Sequence, residues 1–125
     1  MNTKREGTIR FLIFKENDTD SFTGVCLDFG IVVEEETYIK TKRELEKASL
    51  GYLNAIRQEN LPDHLLNNRA QSEYLEIYHK YRKAEAANTE GSRMKLLKNL
   101  RDSEISVHAT ETISIADLLS QPCHA

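Results

Sequence analysis

The chain has 125 residues, 39% hydrophobic and 30% charged, with 20 acids against 17 bases and a net charge of −3. That length points to one domain, able to bury roughly two thirds of the surface its unfolded chain exposes, so no disulfide or structural metal is required. No apolar run approaches the ~18 residues of a membrane span, and residues 9–14 are too short and too interrupted for a signal peptide, which places the protein in the cytoplasm and off the membrane.

Residues 8–15 read Thr-Ile-Arg-Phe-Leu-Ile-Phe-Lys. Ile9, Phe11 and Ile13 alternate with Arg10, Leu12 and Phe14, so both faces are largely apolar, as in a strand covered on both sides. The polar cluster from Glu16 to Ser21 is rich in turn formers and returns the chain as a hairpin. Phe22, Gly24, Cys26 and Asp28 then alternate with Thr23, Val25, Leu27 and Phe29. Gly30 permits a tight turn, and Ile31-Val32-Val33 is a third, β-branched strand. The three form an antiparallel meander.

The period then switches. Thr37 is placed to cap a helix running to about Gln58, with Tyr38, Thr41, Leu45, Ala48, Tyr52 and Ile56 on one face. Leu45, Ala48 and Tyr52 are expected to face Phe11, Ile13, Val25 or Leu27. Gly51, which costs this helix about 1 kcal/mol against alanine, is read as a site of close packing on the sheet. Pro62 marks a new start, Asp63 opens a short turn through Leu66, and Asn67-Asn68 ends it. A further helix begins at Ser72, with Tyr74, Ile77, Tyr78 and Tyr81 on one stripe. A loop at Asn88–Ser92 leads to a helix holding Met94, Leu97 and Leu100. Ile105, Val107 and Ala109 suggest a short strand, and Ser114 or Asp117 a last turn around Leu118. The fold class is therefore α+β: a three-stranded antiparallel meander, with room for a fourth strand, a helix packed across it, and a helical C-terminal extension. Residues 1–60 form the β-β-β-α unit and 61–125 the extension, both within one body.

Charge is unevenly distributed. Residues 15–36 set Lys15 against Glu16, Asp18, Asp20, Asp28, Glu34, Glu35 and Glu36. Residues 80–101 hold Lys80, Arg82, Lys83, Arg93, Lys95, Lys98 and Arg101 against Glu85 and Glu90. The plain reading is two solvated faces. The sharper one is a partner surface, because complementary potentials steer association.

No constellation of catalytic residues stands out. Glu76-x-x-His79 matches half of a di-iron motif that needs two copies and two further glutamates, so a solvated helix face is preferred. Cys123-His124 lacks the second Cys/His pair of a zinc site. His64 and His108 have no triad context. Asp28 could be one carboxylate of a two-metal nuclease, but the first strand supplies no companion. Alone, it reads as a turn residue bonded to backbone. Cys26 reads as a small buried hydrophobe. No metal and no cofactor is implied.

The text from Thr8 to about Tyr52 resembles the HicB-like antitoxin domain of bacterial toxin–antitoxin systems. The match rests on the apolar first strand, the polar hairpin, Phe22-Thr-Gly-Val-Cys-Leu-Asp-Phe-Gly-Ile-Val-Val-Glu34, and Thr37 opening a helix with Leu45 and Ala48. The resemblance implies a truncated ribonuclease-H-like β-β-β-α-β unit without nuclease activity. It implies a non-enzymatic protein that binds and neutralises a small basic RNA-cleaving toxin. Because such toxins are basic, the partner-binding residues it implies are Glu16, Asp18, Asp20, Glu34, Glu35 and Glu36. The C-terminal half departs from the helix-turn-helix or ribbon-helix-helix domains that many such antitoxins carry, which leaves DNA or RNA binding open. The alternative is a nucleic-acid-binding regulator using Arg82, Lys83, Arg93, Lys95, Lys98 and Arg101, although Tyr81 is the one aromatic in that segment available for base stacking. A sheet edge left unpaired also suggests a homo-oligomer.

Overall fold

The computed structural model describes residues 1–86 and 105–120. Strands β1 (Thr8–Glu16), β2 (Phe22–Cys26) and β3 (Ile31–Glu35) form the expected meander. Helix α1 (Tyr38–Gln58) follows, then a 3-10 turn (Asp63–Asn67), helix α2 (Ser72–Glu85), strand β4 (Ile105–Ser114) and a short helix α3 (Ile115–Leu119). All four strands lie antiparallel in the order β3-β2-β1-β4. The expected loop at Asn88–Ser92 and the helix around Met94–Leu100 lie outside the described residues.

The double apolar pattern of β1 has a direct outcome: the sheet is covered on both sides. Ile9, Phe11 and Ile13 join Cys26, Phe29, Leu45, Leu53 and Ile56 in a core under α1. Leu12 and Phe14 join Val25, Leu27 and Tyr78 in a second core under α2. Of the four sheet residues offered as partners for α1, Phe11 and Ile13 lie in its core, whereas Val25 and Leu27 belong to the second one, because residues adjacent on a strand point to opposite faces. Burial of Leu45 beside Phe11 and Ile13, with Tyr52 against the same core, follows the expectation.

Thr37 caps α1, its side chain accepting from the Lys40 N–H at 3.1 Å. The buried line on α1 is Thr41, Leu45, Ser49, Leu53 and Ile56. Ala48, expected at its centre, is only half-buried. Between Leu45 and Ile56 the line runs through Ser49 and Leu53 rather than through Ala48 and Tyr52, and nearer its start the helix makes a close approach to the sheet. That approach is made at Gly24, where a Cβ would lie 2.9 Å from Thr41 Cγ2 and 3.3 Å from Leu45 Cδ2.

Gly51 is not the packing glycine. It is exposed, and a Cβ there meets nothing within 4 Å. Gly51→Ala is accordingly expected to stabilise the protein by about 0.5–1 kcal/mol, through helix propensity and a less free unfolded chain. Urea denaturation would show a higher midpoint at unchanged slope. A lower midpoint would mean that the helix surface at Gly51 is engaged.

β4 is twice the length of the expected strand and pairs along the whole of β1, from Thr8 opposite Ser114 to Glu16 opposite Ile105. The register shifts between Ile13 and Phe14, which face Ala109 and Val107. His108 is the extra residue, and such a bulge hides from period-two counting. Its ring rests edge-on against Phe22, centroids 4.8 Å apart. Ser114 caps α3, as one of the two expected starts. Both halves of the chain thus contribute to one sheet.

The N-terminal residues are tied down by Asn2, which is buried. Its side chain accepts from the Thr8 N–H at 2.9 Å and donates to the Leu66 carbonyl at 3.1 Å, while Asn67 brackets its backbone. No helix among the described residues is long and apolar enough to cross a membrane.

Candidate functional site: an acid-lined cleft beside the open edge strand

Between the β1–β2 hairpin, the outer strand β3 and the start of α2 lies a cleft of about 250 Å³. Its floor is apolar: Phe14 from β1, Val32 from β3, and Tyr74 and Ile77 from α2. The Phe14 and Tyr74 rings pack with centroids 6.0 Å apart. Three carboxylates stand around it, Glu16 at the end of β1, Glu34 on β3 and Glu73 in the first turn of α2. Among the described residues, no basic side chain is paired with any of them. Glu34 accepts a 2.6 Å hydrogen bond from the Ser21 hydroxyl.

Burial pushes the Tyr74 hydroxyl above its ordinary pKa, and the negative charges of Glu73, Glu16 and Glu34 push it the same way. The three acids thus act on one spot although they come from three elements. They stand apart, however, and no group of three His, Cys, Asp or Glu among the described residues is close enough to hold a metal ion. The cleft offers negative potential over an aromatic floor. That combination suits an arginine or lysine side chain, whose stem packs on the rings while its head meets the acids.

The acidic residues singled out from the sequence are divided by the fold. Glu16 and Glu34 meet at the cleft. Asp18 and Asp20 are exposed in the hairpin turn beside it, and Glu36 is exposed just past β3. Glu35 lies on the opposite face of β3, paired with Phe22 on the α1 side. Glu73 was missed. Its only signal is its place in the first turn of a helix, where acids are common anyway; nothing local ties it to the hairpin. Of the alternative basic set, Arg82 and Lys83 are exposed on the last turn of α2, with Arg82 3.6 Å from Glu85. Arg93, Lys95, Lys98 and Arg101 lie outside the described residues. Glu76 and His79 are both exposed on α2.

Asp28 has a structural task. An antiparallel partner of Arg10 would return its carbonyl to the Arg10 N–H. Leu27 donates to the Arg10 carbonyl at 2.8 Å, but its own carbonyl accepts from Ala70 instead, at 3.0 Å. Asp28 Oδ2 fills the gap, accepting from the Arg10 N–H at 2.7 Å, while the Arg10 guanidinium grips both carboxylate oxygens at 3.1 and 3.3 Å. That hydrogen bond, outweighing partial burial, raises the Arg10 pKa, and the guanidinium also lies 5.4 Å from the centre of the Tyr78 ring.

Cys26 is buried under α1, and burial pushes its thiol from 9.0 up to about 11. The folded state therefore holds the proton in a range where the unfolded state releases it. This contribution to stability is complete below pH 9 and is lost as pH rises toward about 11. Replacing Cys26 with Ala should flatten alkaline unfolding between those limits. An unchanged profile would assign alkaline unfolding to other groups, such as Tyr52 and Tyr74, whose pKa values are also raised by burial.

Comparison with protein-family models, with curated proteins and with solved structures finds no match to this chain.

Proposed function

We propose that the protein is a non-enzymatic binding module whose acidic cleft face takes a small basic protein, in the manner of a HicB-like antitoxin covering its toxin. The observation that carries this reading is the convergence of Glu16, Glu34 and Glu73 around Tyr74, with no basic side chain among the described residues lining the cleft or ion-paired to these acids. Acids that served only solubility would have no reason to gather around a cleft floored by Phe14, Tyr74 and Ile77. The element order β-β-β-α followed by a later strand is also the order that the resemblance implies, and in this chain that strand pairs with β1. Helix α2 is an addition to it, and supplies one wall of the cleft together with Glu73.

Against an enzymatic role, Asp28 spends its carboxylate on Arg10, and the cleft acids stand too far apart to share a metal ion. A two-metal nuclease needs ions about 4 Å apart held by shared carboxylates. The decisive experiment is affinity purification of the tagged protein from its native host, with mass spectrometry of bound protein and sequencing of bound RNA. A small basic protein in stoichiometric amount is expected. Recovery of nucleic acid without a protein partner would favour the alternative, a regulator acting through Arg82, Lys83 and the basic residues up to Arg101.

A further inference from the structure

β3 is an outer strand of the sheet, and among the described residues nothing pairs with its far side. The bond from Leu27 N–H to the Arg10 carbonyl fixes which backbone groups point where. Hydrogen-bonded pairs alternate along an antiparallel ladder. Val25 and Thr23 therefore bond to β1, and Gly24, Cys26 and Phe22 to β3. Their partners on β3 are Val33, Ile31 and Glu35. The N–H and C=O groups left at the open edge belong to Val32 and Glu34.

The same two residues point their side chains to the cleft side, because Val32 lies opposite Val25 and Glu34 opposite Thr23. Val32 is 47% exposed, an apolar side chain standing open on an edge strand. Exposed edges are normally blunted by short length, by charged side chains, lysine above all, by proline or by a bulge, and β3 is short with only acidic charges, which leave it open to a basic strand. It has no lysine, proline or bulge between Ile31 and Glu35.

We infer that the edge of β3 at Val32 and Glu34 adds an extended strand from a basic partner. This rests on the proposed function and names its mode of recognition. The occupant carries an apolar residue against Val32 and a basic residue against Glu34, two positions apart on one face. Side chains directly opposite on neighbouring strands have Cβ atoms about 5 Å apart, so each pair is in contact. Backbone bonds give affinity, and the alternate side chains give specificity. Charge argues against a second copy as the occupant. An antiparallel pair of β3 strands would bring Glu34 and Glu36 of each copy to one seam with no basic residue between Ile31 and Glu36 to offset them.

The test uses the whole protein and an acetylated octapeptide with Val and Arg alternating on one face and Thr on the other. Two further peptides of the same charge are N-methylated at every second residue, one in each phase. Affinity is read by fluorescence anisotropy, and amide exchange by nuclear magnetic resonance. The expected result is binding of the unmodified peptide, slowed exchange of the Val32 and Glu34 amides, and affinity reduced about tenfold or more in one methylated phase. If all three peptides bind equally and those amides are unchanged, strand addition is overturned while the acidic surface stands. If none binds at about 1 mM, far weaker than ordinary specific interfaces, both the edge and the acidic surface are overturned as a basic-partner site.

Discussion

Asp28→Ala is expected to destabilise the fold by about 2–3 kcal/mol. Two contributions add. The Arg10 N–H, at the centre of the sheet, loses a charge-assisted bond and has no carbonyl to replace it, because the Leu27 carbonyl is engaged by Ala70. A buried donor left unmade costs about 1–3 kcal/mol. The Arg10 guanidinium also loses its anion, but the pair is 29% and 17% exposed, so solvent moderates that loss below the 3–5 kcal/mol of a fully buried pair. Asp28→Asn keeps one acceptor for the N–H and should cost about half as much. Guanidinium denaturation of both variants gives the order wild type, Asn, Ala. An Ala variant within about 0.5 kcal/mol of wild type, the range of ordinary surface changes, would refute the structural role. Magnesium-dependent cleavage of RNA or DNA that vanishes in Asp28→Asn, with the fold intact, would establish a catalytic one instead.

Reversing the cleft acids carries the largest functional consequence. The triple change Glu16→Lys, Glu34→Lys and Glu73→Lys should slow association with the basic partner by about tenfold or more at low salt, and should flatten its salt dependence. Complementary charges act mainly on the rate of encounter, and salt screens them beyond about 10 Å at 0.1 M. The contacts of Glu34 and Glu73 with the docked chain should add an effect on dissociation. Reversing Asp18 and Asp20, exposed in the neighbouring turn, should slow association less. Reversing Lys95, Lys98 and Arg101 should leave partner binding nearly unchanged. If that basic set abolished binding and the cleft set had no effect, the acidic face would not be the binding face, and a nucleic-acid partner would become the better reading.

Much of the architecture could be read from local chemistry. Thr37 marked the start of α1 because its side chain can satisfy a helix donor that nothing else reaches. The apolar residues on both faces of β1 announced two covering layers, although not which helix supplied the second; that depends on α2 folding back under the sheet. Ala48 is the apolar residue of the pair and is expected inside, yet Ser49 takes the buried position; the two side chains are of nearly equal size, and only the way the helix is set on the sheet shows which one faces it. Gly51, expected at a close contact with the sheet, is open to solvent, and the pressed glycine is Gly24. A glycine in a sequence shows that space or flexibility is tolerated, and only the packed neighbours show which glycine is pressed.

The cleft was legible only in part. Glu16 and Glu34 stand out in an acid-rich stretch of sequence, and the hairpin brings them together by local pairing. Glu73 and Tyr74 come from a helix far along the chain. Their approach is set by burial of Tyr78 and Phe14 in the second core, a tertiary event with no local signature.

The most direct measurement is the hydrogen-exchange footprint of the complex purified from the native host. Protection is expected in residues 16–23, 31–36 and 72–77, with the strongest change at the outward amides of Val32 and Glu34. Protection confined to the exposed side of α1 around Gly51, or to the end of α2 at Arg82 and Lys83, with residues 31–36 unchanged, would contradict the acidic cleft as the binding face.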